Sequence, residues 1–241
     1  MNIIKLNAIN STNDYLKQLA LEQVVENFTL VVTENQTAGR GQMGAKWNVE
    51  AGKNLTFSLL IKNVLPKIDS IFDLNVAVAV SIVNAVKQFE IPQVSIKWPN
   101  DILAGNKKLG GILIENTIKP GGEISSVIGI GINVNQTDFD GLPKATSMAV
   151  STGREFDKEA VMLAIALALE LNLDAVINNT SSVWGTYLEL LYKKNVPMTF
   201  EKDGHKFMGI IKGVTLTGRL QVLHEDDIVV EYGLKEITLL Y

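Results

Sequence analysis

The chain has no cysteine. Disulfides, thiolate metal sites and thiol nucleophiles are excluded. Histidine is nearly as scarce: only His205 and His224 occur, both near the C-terminal end. A Ser-His-Asp arrangement or a histidine-based metal site is therefore not expected. Blocks of like basic charge are lacking and the net charge is −4, which argues against nucleic acid as the main partner. Neither a signal peptide nor an apolar run long enough to span a bilayer is read, so a cytoplasmic location away from membranes is expected. Chemistry on this chain must rest on carboxylates, lysines, arginines and backbone groups.

What remains is an ordinary globular composition, with 46% hydrophobic and 20% charged residues over 241 positions. That length suits one large domain with a small appendage. Ser11-Thr12-Asn13-Asp14 offers an N-cap with an acid three residues on, predicting a helix to about Val25. Read alone, Ser11 is a helix cap, although a helix start is also a donor site. Strands are predicted at 28–35, 54–62, 93–98, 102–104, 108–115 and 125–135, with a Gly105-Asn106 hairpin turn. An Ala/Val-rich helix is predicted from Ile68 to Phe89, and further helices over 157–177 and 181–192. Neighbouring antiparallel strands covered by helices predict an α+β fold with a mixed, largely antiparallel sheet. From Lys194 onward five short strands divided by turn residues predict a small β-barrel. The expected division is 1–193 and 194–241. Strands around 108–135 are a candidate edge for a homodimer.

Two stretches carry chemistry. After the β-branched run Leu30-Val31-Val32, residues 33–47 place Gly39, Gly41 and Gly44 around Arg40, then Lys46 and Trp47. Glycines let backbone N–H groups approach a ligand, and an arginine fork suits carboxylate or phosphate. The second stretch is Lys97-Trp98-Pro99-Asn100-Asp101, answered across the hairpin by Lys107-Lys108-Leu109-Gly110-Gly111. Lys97, Asp101 and Lys108 are predicted to converge, and two cations with one carboxylate suit a phosphate-bearing ligand and its magnesium ion. Read as structure only, Trp98 is a core aromatic, Asp101 a turn former, and Gly129 and Gly131 relieve crowding in the sheet.

Ser-Thr-Asn, Gly-Arg-Gly, Lys-Trp-Pro-Asn-Asp, Lys-Leu-Gly-Gly-Ile-Leu and Gly-Ile-Gly-Ile-Asn follow one another in order from Ser11 to Asn135. Together they resemble the biotin protein ligases, also called biotin–[acetyl-CoA-carboxylase] ligases. The resemblance implies the biotin/lipoate ligase-like catalytic fold with a C-terminal SH3-like barrel. It implies activation of biotin by ATP and Mg²⁺ as biotinyl-5′-AMP, then transfer to a lysine of a biotin carboxyl carrier domain. Under it Ser11, Thr12, Asn13 and Gln36 hold the ureido head. Gly39, Arg40, Gly41 and Gln42 wrap the carboxylate and later the adenylate phosphate. Lys108, beside Gly111, lies between carboxylate and α-phosphate, and Lys97 adds charge. Trp47 stacks on adenine, Asn133 hydrogen-bonds it, and Asn100 and Asp101 lie on the phosphate and metal side; the metal ligands themselves are not assigned.

The sequence departs from the pattern at Gln42, where some relatives carry a second arginine. One charge near the adenylate is lost, which implies a looser hold. Some relatives also carry an N-terminal DNA-binding module; this sequence opens on the catalytic motifs, so a repressor role is not expected. A lipoate-type ligase and a non-catalytic biotin or nucleotide sensor are the rival readings. The sensor could dispense with Lys108 and Asp101, and both are present.

Overall fold

The structure, a computed structural model, describes residues 1–48, 50–63, 71–119, 121–177 and 182–241. The expected starts of two helices, at Ile68 and Ser181, lie outside the described residues. A strand β1 (Asn2–Ile9) leads through helix α1 (Thr12–Glu22) into strand β2 (Thr29–Gln36). The helix crossover makes β1 and β2 parallel, with Ile4 beside Val31. Strands β3 (Leu55–Lys62), β4 (Val94–Lys97), β5 (Asp101–Ala104), β6 (Lys107–Ile118) and β7 (Ile124–Ile132) complete a seven-stranded sheet in the order β1-β2-β3-β7-β6-β5-β4. Every pair except β1–β2 is antiparallel. The predicted mixed, largely antiparallel α+β sheet is therefore present.

Alternation of side chains divides the sheet into two faces. Leu30, Phe57, Leu59, Ile128 and Ile130 point to one face and join the main core. Helices α2 (Ile71–Gln88), α4 (Lys158–Ile177) and α5 (Ser182–Glu189) belong to that core through Leu74, Val78, Ile82, Ile165 and Tyr187. By length and composition alone α2 is apolar enough to cross a bilayer, so the expectation of no such run is corrected; 61% of it is buried inside the fold. The neighbouring residues Val31, Leu60 and Val127 point to the other face and pack on Leu16 of α1. Leu16 is fully buried, and truncating it to alanine should cost about 2–5 kcal/mol. A short helix α3 (Met148–Thr152), capped by Ser147 and closed by Gly153 in the left-handed region, was not predicted.

Strands β6 and β7 are interior to the sheet, so the expected dimer edge at 108–135 is largely paired. Strand β5 reaches only to Gly111, which leaves the flank of β6 from there to Ile118 without a partner strand among the described residues. Beyond residue 196 five strands, β8 (Pro197–Lys202), β9 (His205–Val214), β10 (Leu220–Leu223), β11 (Val229–Tyr232) and β12 (Thr238–Leu240), form an antiparallel sheet ordered β11-β10-β9-β8-β12. This is the small β-unit the turn spacing predicts. Trp98 fastens it to the large sheet: its indole Nε1 donates to the Gly218 carbonyl at 2.9 Å. Trp98 packs half-buried against the main core, as its structural reading expects, and also serves there as a docking anchor.

Candidate active site

On the α1 face, small residues in register leave a floor. Thr56, Gly131 and Gly111 stand side by side across β3, β7 and β6, and Ser58, Gly129 and Leu113 form the next row. Over this floor lies a cavity of about 660 Å³. The glycines are required by what rests on them. A methyl at Gly129 would stand 2.5 Å from Asn13 Oδ1, and one at Gly131 would overlap the Trp47 indole.

The α1 end of the cavity is a set of neutral hydrogen-bonding groups. Gln36 Oε1 accepts from the Thr12 backbone N–H at 2.9 Å and from its hydroxyl at 3.2 Å. Ser58 Oγ donates to Asn13 Oδ1 at 2.5 Å and lies 2.7 Å from Thr12 Oγ1. The Asn13 amide donates to Glu115 Oε2 at 2.7 Å. With Gln36 Oε1 occupied, its amide N–H groups are the ones left to meet a ligand.

The glycine loop arches over the floor. Trp47 N donates to Gly39 O at 2.9 Å and Gly41 N to Ala45 O at 2.6 Å, so the loop closes on itself. Met43 at its tip has φ of 56°. Arg40 leaves the loop for α1: its guanidinium lies 2.6 Å from Asp14 Oδ1 and 3.7 Å from Glu115. Lys17 joins the same carboxylates, at 3.0 Å from Asp14 and 2.8 Å from Glu115. Burial pushes the Asp14 carboxyl up, but Lys17 and Arg40 outweigh it and hold the group below its ordinary value. Lys17 is the mirror case: burial lowers it, and Glu115 and Asp14 raise it more. The Trp47 indole lies on Gly131 and near Gly111, and its buried Nε1 has no hydrogen-bond partner among the described residues.

At the far end the predicted cations converge. Asp101, opposite Gly111 in the β5–β6 register, takes Lys108 Nζ at 2.6 Å on one oxygen and Lys97 Nζ at 3.2 Å on the other. Lys108 Nζ is also 5.9 Å from the Trp47 ring centroid, within cation–π reach. Asn100 turns its amide into the strand, donating to Ile112 O at 2.7 Å. The arrangement is one carboxylate between two ammonium groups, facing an aromatic plate across a glycine floor. It can take up an anion of more than one charge while a flat ring lies on the indole.

The model of the biotin/lipoate A/B protein ligase family matches residues 6–135. The chain belongs to this family. It is 37% identical over 173 residues to the bifunctional ligase/repressor BirA of Bacillus spizizenii, a match covering 70% of this chain and 53% of that relative. The chain thus spans about half the length of that Bacillus protein. Against the bifunctional ligase/repressor BirA of Escherichia coli the identity is 28%, over 99% of this chain and 74% of the relative. The structure of biotin protein ligase from Aquifex aeolicus in complex with biotin and ATP superposes with a TM-score of 0.81 at 28% identity, covering 99% of this chain and 98% of that one.

In this member of the family, Thr12, Asn13, Gln36, Arg40, Gly41, Gln42, Trp47, Lys97, Asn100, Asp101, Lys108 and Gly111 all line the one cavity. Three predicted residues are not brought to its wall. Ser11 is the buried cap of α1, its hydroxyl accepting from Asp14 N at 3.2 Å. Gly39 is packed behind the loop against Trp47 and Gln36. Asn133 is buried and donates to Thr146 O at 2.9 Å, tying β7 to the segment before α3.

The motif reading missed a second set. Thr56 lines the cavity, and Ser58 and Glu115 stand behind its wall, holding Asn13; alternation from Gly111 through Leu113 reaches Glu115, and that signal was available. Asp14, the counter-ion of Arg40, lay inside the predicted cap. The β-unit supplies part of the wall through Leu234, Lys235 and Thr238. Lys235 Nζ donates to Met43 O at 3.1 Å, so the β-unit holds the loop tip. Tyr241 lies under two ammonium groups, Lys144 at 4.3 Å and Lys97 at 5.2 Å from its centroid. Burial and then nearby Asp101 raise its phenol.

Proposed function

We propose that this protein is an ATP-dependent ligase that activates biotin as biotinyl-5′-AMP and transfers it to a lysine of a biotin carboxyl carrier domain. The observation that carries the reading is the pairing of a neutral amide end with a Lys97–Asp101–Lys108 cluster on one glycine floor. A urea ring needs fixed donors and acceptors without charge, and a carboxylate meeting a triphosphate needs cations. The named relatives, among them the biotin–[acetyl-CoA-carboxylase] ligase of Mycobacterium tuberculosis, support the same substrates and acceptor. The repressor part of the Bacillus name is not carried over. A cytoplasmic setting without DNA or membrane as partner belongs to the same reading.

In the first half-reaction a biotin carboxylate oxygen attacks the α-phosphorus of ATP and pyrophosphate leaves with the bonding pair. Repulsion between the two anions is the obstacle. Lys108 and Arg40 offset it from opposite sides, with Lys97 behind Lys108. Arg40 must exchange Asp14 for the ligand to do so. Thr12, Asn13 and Gln36 fix the head, with Ser11 holding the helix start that presents them. The backbone of Gly39, Gly41 and Gln42 follows the carboxylate. Trp47 carries the adenine, with Asn133 bracing the strand beneath it. Asn100 keeps Asp101 in place at the phosphates. Asp101 would be the residue to hold a magnesium ion brought with the nucleotide. Among the described residues no cluster of three acidic or histidine side chains occurs, and one carboxylate, Asp101, fits an ion held mainly by phosphate oxygens and water. The bound ion would neutralise phosphate charge. Residues 1–193 are assigned the chemistry, and 194–241 the closing of the loop over ATP or the docking of the carrier.

ATP–pyrophosphate exchange with the purified protein, run with biotin and separately with lipoate, tests the reading. Exchange with biotin alone is the expected result. Exchange with lipoate alone would make it a lipoate-type enzyme, and binding of biotin without any exchange would make it a sensor.

A further inference from the structure

Asn13 lines the cavity and is buried. Which end of an amide side chain is oxygen is read from its partners, and here the partners agree. The nitrogen lies 2.7 Å from Glu115 Oε2 and 3.3 Å from the Leu113 carbonyl. Both are acceptors, and an ionised carboxylate has no hydrogen to give. The oxygen of Asn13 therefore faces the other way. It takes the Ser58 hydroxyl at 2.5 Å and is the atom of the amide nearest the Gly129 floor. One of its two lone pairs is used on Ser58, and the other is left for a ligand. Glu115 meets cations on its second oxygen: Lys17 Nζ lies 2.8 Å from Oε1 and the Arg40 guanidinium 3.7 Å. The carboxylate stands behind the cavity wall, so what it does to a ligand it does through Asn13.

We infer, resting on the ligase reading above, that Glu115 is a positioning residue: it locks Asn13 with its carbonyl toward the floor and so makes this end of the cavity select a ring that bears N–H groups. The Asn13 carbonyl offers an acceptor, and the Gln36 amide, its oxygen engaged by Thr12, offers donors. A cyclic urea matches that order, with an N–H to meet Asn13 and a C=O to meet Gln36. A dithiolane ring, as in lipoate, has neither group and leaves both amides unpaired. An unpaired buried amide costs more than the contact it loses. Turning Asn13 over would bring the same loss on the urea itself, because N–H would then meet N–H. The two orientations of an amide have nearly the same shape, so hydrogen bonding has to choose between them. An acceptor-only carboxylate makes that choice outright.

The test uses the full chain with Glu115→Gln, with Lys17→Met and with the two combined. Glutamine keeps the size of glutamate but has a single acceptor end. In Glu115→Gln the ammonium of Lys17 draws that end to itself, since a charge-assisted hydrogen bond is the stronger one. The new amide N–H groups then face Asn13 and oppose its orientation. Adding Lys17→Met removes the pull and lets the acceptor end return to Asn13. Biotin Kd is read by titration calorimetry, with biotin-dependent ATP–pyrophosphate exchange and a thermal melt beside it. Glu115→Gln should weaken biotin about 10- to 100-fold, the scale of a mispaired buried polar group, and the loss in exchange should be carried by the KM for biotin. Lys17→Met alone should bind biotin within about twofold of the unsubstituted protein, because the carboxylate still accepts from Asn13 and the ion pair is half-exposed. The combined variant should recover to within about threefold, the non-additivity expected of neighbours that act through one contact. An unchanged Kd in Glu115→Gln would overturn the lock, and so would an equal loss in the combined variant, which would leave Glu115 a packing role only. If Glu115→Gln does not fold, the combined variant decides alone: recovered affinity supports the lock, and lost affinity overturns it. Biotin binding without exchange in the unsubstituted protein would overturn the ligase reading instead, with the affinities still judging the lock; no biotin binding there would overturn both.

Discussion

At the α1 end of the cavity, polar groups satisfy one another before any ligand arrives. Thr12, Asn13 and Ser58 are buried, and each is held by a neighbour on another element. At the other end, Lys97 and Lys108 share a single carboxylate and remain 22% and 37% exposed. The first end is a rigid template of dipoles, suited to a head that carries no charge. The second stores a surplus of positive charge on long side chains, with an internal counter-ion that an incoming polyanion can displace. Head recognition on this plan depends on packing, and chemistry on charge. The two should be separable by mutation.

The largest effect is expected at the charged end. Lys108→Ala should lower the rate of adenylate formation by ~10²–10³-fold, the cost of removing one preorganised charge stabiliser. Biotin affinity, which the proposed function sets at the other end, should change little. A rapid-quench burst measured beside titration calorimetry separates the two. An unchanged burst would remove Lys108 from the chemistry, and a parallel loss of biotin affinity would erase the distinction between the ends.

The template end should fail differently. Gly129→Ala sets a methyl 2.5 Å from Asn13 Oδ1, and Asn13 is pinned by Ser58 and Glu115. Overpacking of this kind costs about 1–3 kcal/mol. If the cost falls on the bound head, the biotin Kd should rise roughly 10- to 100-fold, while turnover at saturating biotin is kept. Calorimetry with a thermal melt checks it. A lowered melting temperature with unchanged Kd would mean that Asn13 moves aside without touching the ligand.

The charged end was legible in the sequence because its parts are contiguous. Lys97 to Asp101 is one turn, and the Gly105-Asn106 hairpin brings Lys108 back beside it. The template end was half legible. Ser11, Thr12 and Asn13 stand together at a helix start, but Ser58 and Glu115 reach the site through pairing of β3, β7 and β6. Such register is set by the whole sheet and by no local motif. Gly129 and Gly131 were read as relief of crowding, and the structure names what would crowd them. The hold of Lys235 on Met43 joins segments far apart in sequence and leaves no local signature. The parallel β1–β2 pair was derivable, since a strand, helix and strand in succession favour a crossover.

The smallest effect is expected between the two ends, where Asp14 holds Arg40 on the surface of α1. Exposed pairs of this kind contribute about 0–1 kcal/mol, so Asp14→Asn should alter the melting temperature at pH 7 only slightly. Its value lies in the sign of the other changes. An arginine without its counter-ion has less to exchange when the ligand arrives, so the KM for biotin or ATP should fall a little and depend less on salt. The pH dependence is fixed by the depressed Asp14 carboxyl. Its stabilisation is fully present above the ordinary value of 3.8 and is lost as pH falls through the lower value in the folded state. The two proteins should therefore differ by a constant amount at neutral pH and converge only in acid below pH 4. Convergence near pH 6 would mean that a different group governs the loop. A higher KM in Asp14→Asn would mean that Asp14 aims Arg40 at the ligand rather than holding it away.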